Sequence, residues 1–320
     1  MHRWTSLEDV PADLGPTLAT LGNFDGVHRG HRAVLETVTT MARERGLVSV
    51  AVTFDPHPVA VLHPDRAPQE IAGLEHRLDL LEEAGLDAVV VIEFTKEYAR
   101  ASPEDFVVET FVDGLRAEVV VVGQDTRFGL HNSGDVSTMR ELGALHGFDV
   151  VVQDTAGDLD GGERSWSSTA LRQALADGDV AAAAEILARP HRVSGEVVHG
   201  HHRGRELGYP TANLAHESEG MVPADGVYAG WLERPEVPVG HPDRRLPAAV
   251  SVGTNPTFDD VVERTVEAYV LDRTDLDLYS ETVRVEFVQR LRGNVRFGSV
   301  EELMAQMGQD VDRARTLLLP

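Results

Sequence analysis

Apolar positions follow two different patterns along this chain. In the first half, short continuous apolar runs alternate with stretches of helical spacing. Leu18 to Leu21, Val48 to Phe54, Ala88 to Ile92, Glu118 to Val122 and Asp149 to Gln153 read as strands. Ala33 to Arg45 follows a helical pattern, and Leu74 to Ala84 is amphipathic at helical spacing. Ser102-Pro103-Glu104-Asp105 supplies a cap, a proline in the first turn and an acid beyond it, which predicts a helix running to about Leu115. Apolar strands separated by helices predict an α/β unit on a parallel sheet covered on both faces. Ligands of such sheets bind beyond the carboxyl ends of the strands.

After Leu187 the pattern changes. Between about Arg192 and Val288 the strands shorten, and glycine turns and prolines separate them. Val283, Val285 and Phe287 alternate with Arg284 and Glu286, as in a half-buried strand. This predicts an antiparallel barrel or sandwich. Arg234 to Pro247 carries four prolines and reads as a mobile surface hairpin. The chain ends in a helix with Ser299 and Glu302 as a capping box and Leu303, Met307, Val311, Ala314 and Leu318 on one face. The change of pattern places a boundary at Leu187 to Pro190, giving domains 1–187 and 188–320.

Composition narrows the classes of function. The chain has 320 residues and a formal net charge of −24, which argues against nonspecific binding to nucleic acid or an anionic membrane. No apolar run is long enough to span a bilayer, and the N-terminus lacks the apolar core of a signal peptide, so a cytoplasmic location is expected. There are no cysteines, which excludes disulfides and thiolate metal sites. Lys96 is the only lysine, so a Walker A loop or a lysine Schiff base elsewhere in the chain is excluded.

Gly22-Asn23-Phe24-Asp25-Gly26-Val27-His28-Arg29-Gly30-His31 compresses a strand end, a glycine turn and a helix start. Such a turn aims backbone N–H groups and a helix N-terminus at one point, which suits phosphate. His28 and His31 flank that point and can donate to triphosphate oxygens. Asn23 and Asp25 either shape the turn or contact nucleotide, and Phe24 reads as packing. Ser168 and Thr169 open a helix, with Arg172 a turn further on; alone this is an ordinary cap, but with the histidines it could close over phosphates. Phe54, Pro56, His57 and Pro58 form a stiff loop after a strand, either a structural turn or a receiver for a planar ring. Gly195, Gly200, Gly204 and Gly208, with Arg205, precede Pro210-Thr211-Ala212-Asn213. The glycines allow close approach of a ligand, and Thr211 and Asn213 face one side of an extended segment as two oxygen ligands suited to Mg²⁺. Glu267 lies in an otherwise apolar strand, either facing solvent or serving as a base; alternation does not decide between these.

These segments together resemble the bifunctional riboflavin kinase/FMN adenylyltransferase family, the prokaryotic FAD synthetases, over nearly the whole chain. The carrying runs are Gly22 to His31 and Gly200 to Leu214, supported by Thr53 to Pro58, Gly123 to Gly129, Ser167 to Arg172, Gly226 to Tyr228, Val252 to Phe258, Val266-Glu267 and Asp277 to Tyr279. The resemblance implies a Rossmann-like nucleotidyltransferase domain followed by a β-barrel riboflavin kinase domain with a terminal helix. It implies ATP, riboflavin, FMN and FAD as substrates and products. By resemblance, Thr211 and Asn213 hold Mg²⁺-ATP in the kinase, with Gly200, Gly204, Arg205, Gly208 and Pro210 around it, and Glu267 activates the ribityl hydroxyl. His28 and His31 contact the triphosphate in the adenylyltransferase, with Gly22, Asn23, Phe24, Asp25, Asp125, Ser168, Thr169 and Arg172, and Phe54, Pro56, His57, Pro58 and Phe128 receive the flavin. Thr126 and Ser280 depart from the family pattern, where an aromatic residue and a glycine are expected. Two other readings compete: an adenylyltransferase whose barrel only binds, and a non-catalytic flavin-binding protein. Thr211, Asn213 and Glu267 speak against the first, and those groups with His28 and His31 against the second.

Overall fold

The computed structural model describes residues 1–153, 166–200, 208–255 and 263–319. They form two compact units, one of residues 1–69 and 73–167, the other of residues 70–72 and 168–320.

The first unit contains β1 (His2–Trp4), β2 (Thr17–Leu21), α1 (Arg29–Arg45), β3 (Val48–Asp55), α2 (Pro58–Leu62), α3 (Leu74–Glu83), β4 (Ala88–Glu93), α4 (Pro103–Val107), β5 (Ala117–Gly123), α5 (Val136–His146) and β6 (Asp149–Gln153). The six strands form one sheet in the order β1-β4-β3-β2-β5-β6, with every pair parallel. The expected α/β sheet is therefore present. Its continuous apolar strands serve two cores. Ala19, Val50, Val52, Val90, Val120 and Val122 point to one side, under Phe106, Phe111, Met139 and Leu142. Leu18, Ala51, Val89, Val91, Val119 and Val121 point to the other, under Leu35, Val38, Leu78 and Leu81 of α1 and α3. The chain runs from β2 outward to β3 and β4, then returns to place β5 on the opposite side of β2. The order reverses between β2 and β5, where ligands of open parallel sheets bind.

Ser102 caps α4 with both halves of a capping box, as its sequence predicts. The helix then changes to π-type bonding over Val108–Gly114, with the Leu115 N–H reaching the Thr110 carbonyl at 3.0 Å. Strand β1 and helix α5 have no counterpart in the sequence reading. Three-residue β1 is too short to show a period, and it is held by pairing to β4.

The second unit contains α6 (Ser168–Asp177), α7 (Val180–Leu187), β7 (His191–Val198), β8 (Ala212–Leu214), β9 (Gly226–Glu233), β10 (Arg245–Asn255), β11 (Glu263–Val270), β12 (Thr282–Arg292) and α8 (Val300–Leu318). The strands close as an antiparallel barrel in the order β10-β11-β8-β7-β12-β9, which selects the barrel over the sandwich. Val193, Val250, Val252, Val266, Ala268, Val283, Val285 and Phe287 are buried along these strands. Helix α7 packs on β7 and β12, so compactness divides the chain before α6, earlier than the change in sequence pattern at Leu187.

Helix α8 lies against β9 and β10, where Val311, Ala314 and Leu318 join Val227, Ala229 and Ala249. Its cap differs in detail from the expected box. Ser299 accepts from the Glu302 N–H, but the Glu302 carboxylate takes the N–H of Gly298, one residue earlier, at 2.9 Å. The proline-rich hairpin is clasped by arginines: Arg234 makes a two-pronged pair with Glu281 at 2.7 and 2.8 Å, and Arg244 donates to the Pro235 carbonyl at 2.9 Å.

Candidate functional site

Strand β2 delivers the Gly22–His28 turn to the point where strand order reverses, and β5 delivers Gly123 beside it. The turn is tight. Phe24 and Val27 both hold positive φ, 48° and 38°, with Gly26 at 77° between them. A β-branched residue in that region is strained, and such strain persists only where packing over-determines it. Here the side chains of Phe24 and Val27 are buried against α1, α3 and the sheet. Phe24 is thus packed into the core of this unit. Asp25 is buried beside it.

His28 is the N-cap of α1, and its Nδ1 accepts the His31 N–H at 3.3 Å. In the neutral ring this leaves the proton on Nε2. The His28 and His31 rings stack, with centroids 3.7 Å apart and planes 19° from parallel, and Phe24 meets His31 edge-on at 5.3 Å. Burial, and then the neighbouring His28, hold the His31 pKa well below its ordinary value, so its imidazole is neutral at physiological pH. Its Nδ1 is sealed from solvent and has no hydrogen-bond partner among the described residues. The Trp166 carbonyl lies over Gly30, where a Cβ would meet it at 2.8 Å. The Arg29 guanidinium sits 5.3 Å from the Trp166 ring centroid.

Strand β3 brings the second loop to the same edge. Asp55–Pro56 is a cis peptide. His57 caps the short α2, its Nδ1 accepting the Val59 N–H at 3.2 Å, and its Nε2 lies 3.2 Å from the Asn23 carboxamide. Asn23 and His57 therefore join the two sequence motifs directly. Phe54 begins a row of aromatic rings: Phe94 at 5.4 Å, Tyr98 a further 5.9 Å on, then Phe106 at 6.3 Å and Phe128 at 5.7 Å. Burial pushes the Tyr98 phenol up to about 12. Phe128 is 5% exposed and pairs through its backbone with Gly134, so its ring is committed to this row. Asp125 is exposed in the turn after β5, its carboxylate close to Gly123.

Ser168, Thr169 and Arg172 lie on α6, in the second unit. Gly204 and Arg205, and Pro256 to Phe258, lie outside the described residues.

The barrel positions the remaining candidates. Glu267 stands directly opposite Asn213 across the β8–β11 pair, and opposite Ser251 across the β10–β11 pair. Val266 and Ala268 are buried in the barrel, so Glu267 and Asn213 share its outer face. Alternation along β11 alone leaves the role of Glu267 open; the register supplies its neighbour. The Asn213 Nδ2 donates to the Thr211 carbonyl at 3.1 Å and to the Thr211 hydroxyl at 3.3 Å. Gly200 is pressed against the Asn213 carboxamide, where a Cβ would come within 2.5 Å of Oδ1. Next to Gly200, His199 packs on Tyr279 with centroids 3.9 Å apart, which brings the Asp277 to Tyr279 run to the same place. Pro210 precedes this group, and Gly208 adopts φ +86°. Among the described residues no group of three or more His, Asp or Glu could hold a metal ion.

Arg77, Phe94, Tyr98, Phe106 and Trp166 are the residues that sequence reasoning missed. Phe94 carried a usable signal, an aromatic residue just past a strand end. The others depend on tertiary approach.

The chain matches a FAD synthetase family over residues 10–170 and a riboflavin kinase family over residues 187–318. It is 38% identical to a bifunctional riboflavin kinase/FMN adenylyltransferase of Escherichia coli over 92% of this chain and 91% of that one. Proteins of the same description from Pseudomonas fluorescens and Bacillus subtilis are 36% and 32% identical, each over 95% of this chain and 93% of theirs. A solved structure described as a macrolide-efflux protein from Streptococcus pneumoniae superposes with a TM-score of 0.85 at 31% identity, over 98% of each chain. No helix among the described residues is long and apolar enough to cross a membrane.

Proposed function

The chain belongs to the bifunctional riboflavin kinase/FMN adenylyltransferase family, and from that premise we propose which of its residues carry each reaction. It phosphorylates riboflavin to FMN with ATP, and it adenylylates FMN to FAD with release of pyrophosphate.

We assign the kinase step to the barrel domain, residues 188–320. Glu267 takes the proton of the ribityl 5′-hydroxyl as that oxygen attacks the γ-phosphorus of ATP, and ADP leaves in line. The register pair Glu267–Asn213 carries this reading, because it sets a carboxylate beside a carboxamide and the Thr211 hydroxyl on one face. Thr211 and Asn213 offer hard oxygen donors, and Gly200 leaves room at Asn213 Oδ1, which fits Mg²⁺ better than a softer metal. Bound with ATP, Mg²⁺ would neutralise phosphate charge. Gly200, Gly204, Arg205, Gly208 and Pro210 complete the nucleotide loop in this proposal.

The adenylyltransferase step is assigned to residues 1–187. An FMN phosphate oxygen attacks the α-phosphorus of ATP, and His28 and His31 donate to oxygens of the departing pyrophosphate. The neutral His31 ring suits this role, because it brings a donor without a charge that must be desolvated. Gly22, Asn23, Asp25 and Asp125 belong to the nucleotide side. Ser168, Thr169 and Arg172 join them on the strength of the resemblance. Phe54, Pro56, His57 and Pro58 receive the flavin ring, with Phe128 supporting it from within the aromatic row. We place the enzyme in the cytoplasm, where ATP is abundant.

Glu267→Gln tests the kinase assignment. Incubated with riboflavin, ATP and Mg²⁺, the variant should form FMN at least about a hundredfold more slowly, as expected for loss of a general base. Supplied with FMN, it should make FAD at the normal rate. Undiminished FMN formation would refute the role of Glu267.

A further inference from the structure

Arg77, in the first turns of α3, is 2% exposed, so nearly the whole of a charged side chain is buried. Burying a guanidinium is costly unless it is paired and hydrogen-bonded. Two of its partners lie on different segments, the turn after β2 and the end of β3. One terminal nitrogen donates to the backbone carbonyl of Asn23 at 3.0 Å, and the other reaches the Asp55 carboxylate at 3.5 Å. Its Nε is buried without a hydrogen-bond partner among the described residues. The same Asn23 carbonyl also accepts the Thr53 hydroxyl at 3.3 Å, and the Asn23 side chain meets His57. Arg77 therefore stands behind the turn that leads to His28 and behind the loop that holds Pro56, His57 and Pro58.

A planar guanidinium can span two acceptors at fixed spacing, which an ammonium on a flexible stem does not do. The Gly22–His28 turn is strained at Phe24 and Val27, and a strained turn needs partners that fix it. We propose that Arg77 is a positioning residue that ties the Asn23 turn to the Asp55 loop, so that the nucleotide and flavin subsites of the adenylyltransferase are set together. The inference rests on the assignment of the first loop to ATP and the second to flavin. Its consequence is specific. Loss of Arg77 misplaces both subsites at once, whereas loss of a group that touches one substrate affects that substrate first.

The test uses the full chain with Arg77→Met, Arg77→Lys and Asp55→Asn. The KM for ATP, the KM for FMN and kcat are measured for FAD formation, with riboflavin phosphorylation as an internal control. In Arg77→Met both KM values should rise about tenfold or more, and kcat/KM should fall by roughly a hundredfold, the loss expected when a positioned group moves by about an ångström. Arg77→Lys, which keeps the charge and one donor, should restore part of both values together. Asp55→Asn should raise both KM values more mildly, and because its side chain is half-exposed the fold tolerates the exchange. If Arg77→Met does not hold its fold, the two milder variants decide the matter. A change in one KM alone, or wild-type values in Arg77→Lys and Asp55→Asn, would overturn the proposal. Retention of FAD synthesis after replacing His28 and His31 would instead strike at the underlying assignment of the loops.

Discussion

Single residues in this protein take their chemistry from where the backbone buries them, and two histidines show it. His31 is kept neutral beside His28 at the start of α1, where a neutral donor is useful. His191 is kept neutral for a structural reason. It is 2% exposed on β7, its Nε2–H donates to the Met221 carbonyl at 2.7 Å, and burial lowers its pKa to about 4. An unfolded histidine takes its proton near pH 6.5, so between that pH and 4 the unfolded chain binds more protons than the folded one. The barrel's stability should therefore be full above about pH 6.5 and decline on acidification towards pH 4, by about 3 kcal/mol from this residue. Urea unfolding at pH 7 and pH 4.5 measures it, with His191→Gln as the comparison. The variant should lose much less stability between the two pH values, and an equal loss would refute the assignment. The sequence marked His28 and His31 through their flanking glycines. His191 and Arg77 had no such signal, because their importance lies in burial and in partners remote along the chain.

At the scale of elements, legibility followed periodicity. The long apolar strands and α1 were readable, since a period repeated over many residues is hard to mistake. Three-residue β1 was not, and it exists because a neighbouring strand offers a hydrogen-bonding edge, while β8 was legible only as an extended segment without a partner. Register was equally hidden. Nothing in the sequence states that Asn213 will stand opposite Glu267, yet the proposed kinase site rests on that alignment. The close approach of Gly200 to Asn213 belongs to the same arrangement. In Gly200→Ala the new methyl group would come within 2.5 Å of the carboxamide, which must rotate away. Riboflavin phosphorylation should fall by about tenfold to a hundredfold, following the usual cost of a displaced positioning group. FAD formation from added FMN should not change. Parallel assays of the two reactions check this, and equal losses in both would show a general defect instead.

For the whole molecule, the chain carries two family matches in succession, and under the proposed assignment a lesion in one site should leave the other reaction running. A chain with both His28→Ala and His31→Ala should convert riboflavin to FMN and stop there. Flavins separated over time would show FMN accumulating with at least about a hundredfold less FAD, the scale of loss for removed oxyanion donors; normal FAD formation would dismiss the histidines. The sequence pattern changes near Leu187, the compact units meet before α6, and the family matches end at residue 170 and resume at residue 187. The packing of α6 and α7 was not legible, because an amphipathic helix advertises an apolar face without saying which surface will cover it.

The shortness of β8 has a further meaning. It is the narrowest stave of the barrel, joined to β11 and to β7 by two aligned residue pairs on each side. Both proposed partners of the kinase step depend on that joint, and a slip of one residue would turn Asn213 inward and bring Ala212 or Leu214 to the face of Glu267. Under that proposal barrel closure and kinase competence are a single event, and turnover of riboflavin doubles as a gauge of whether the ring of strands is shut.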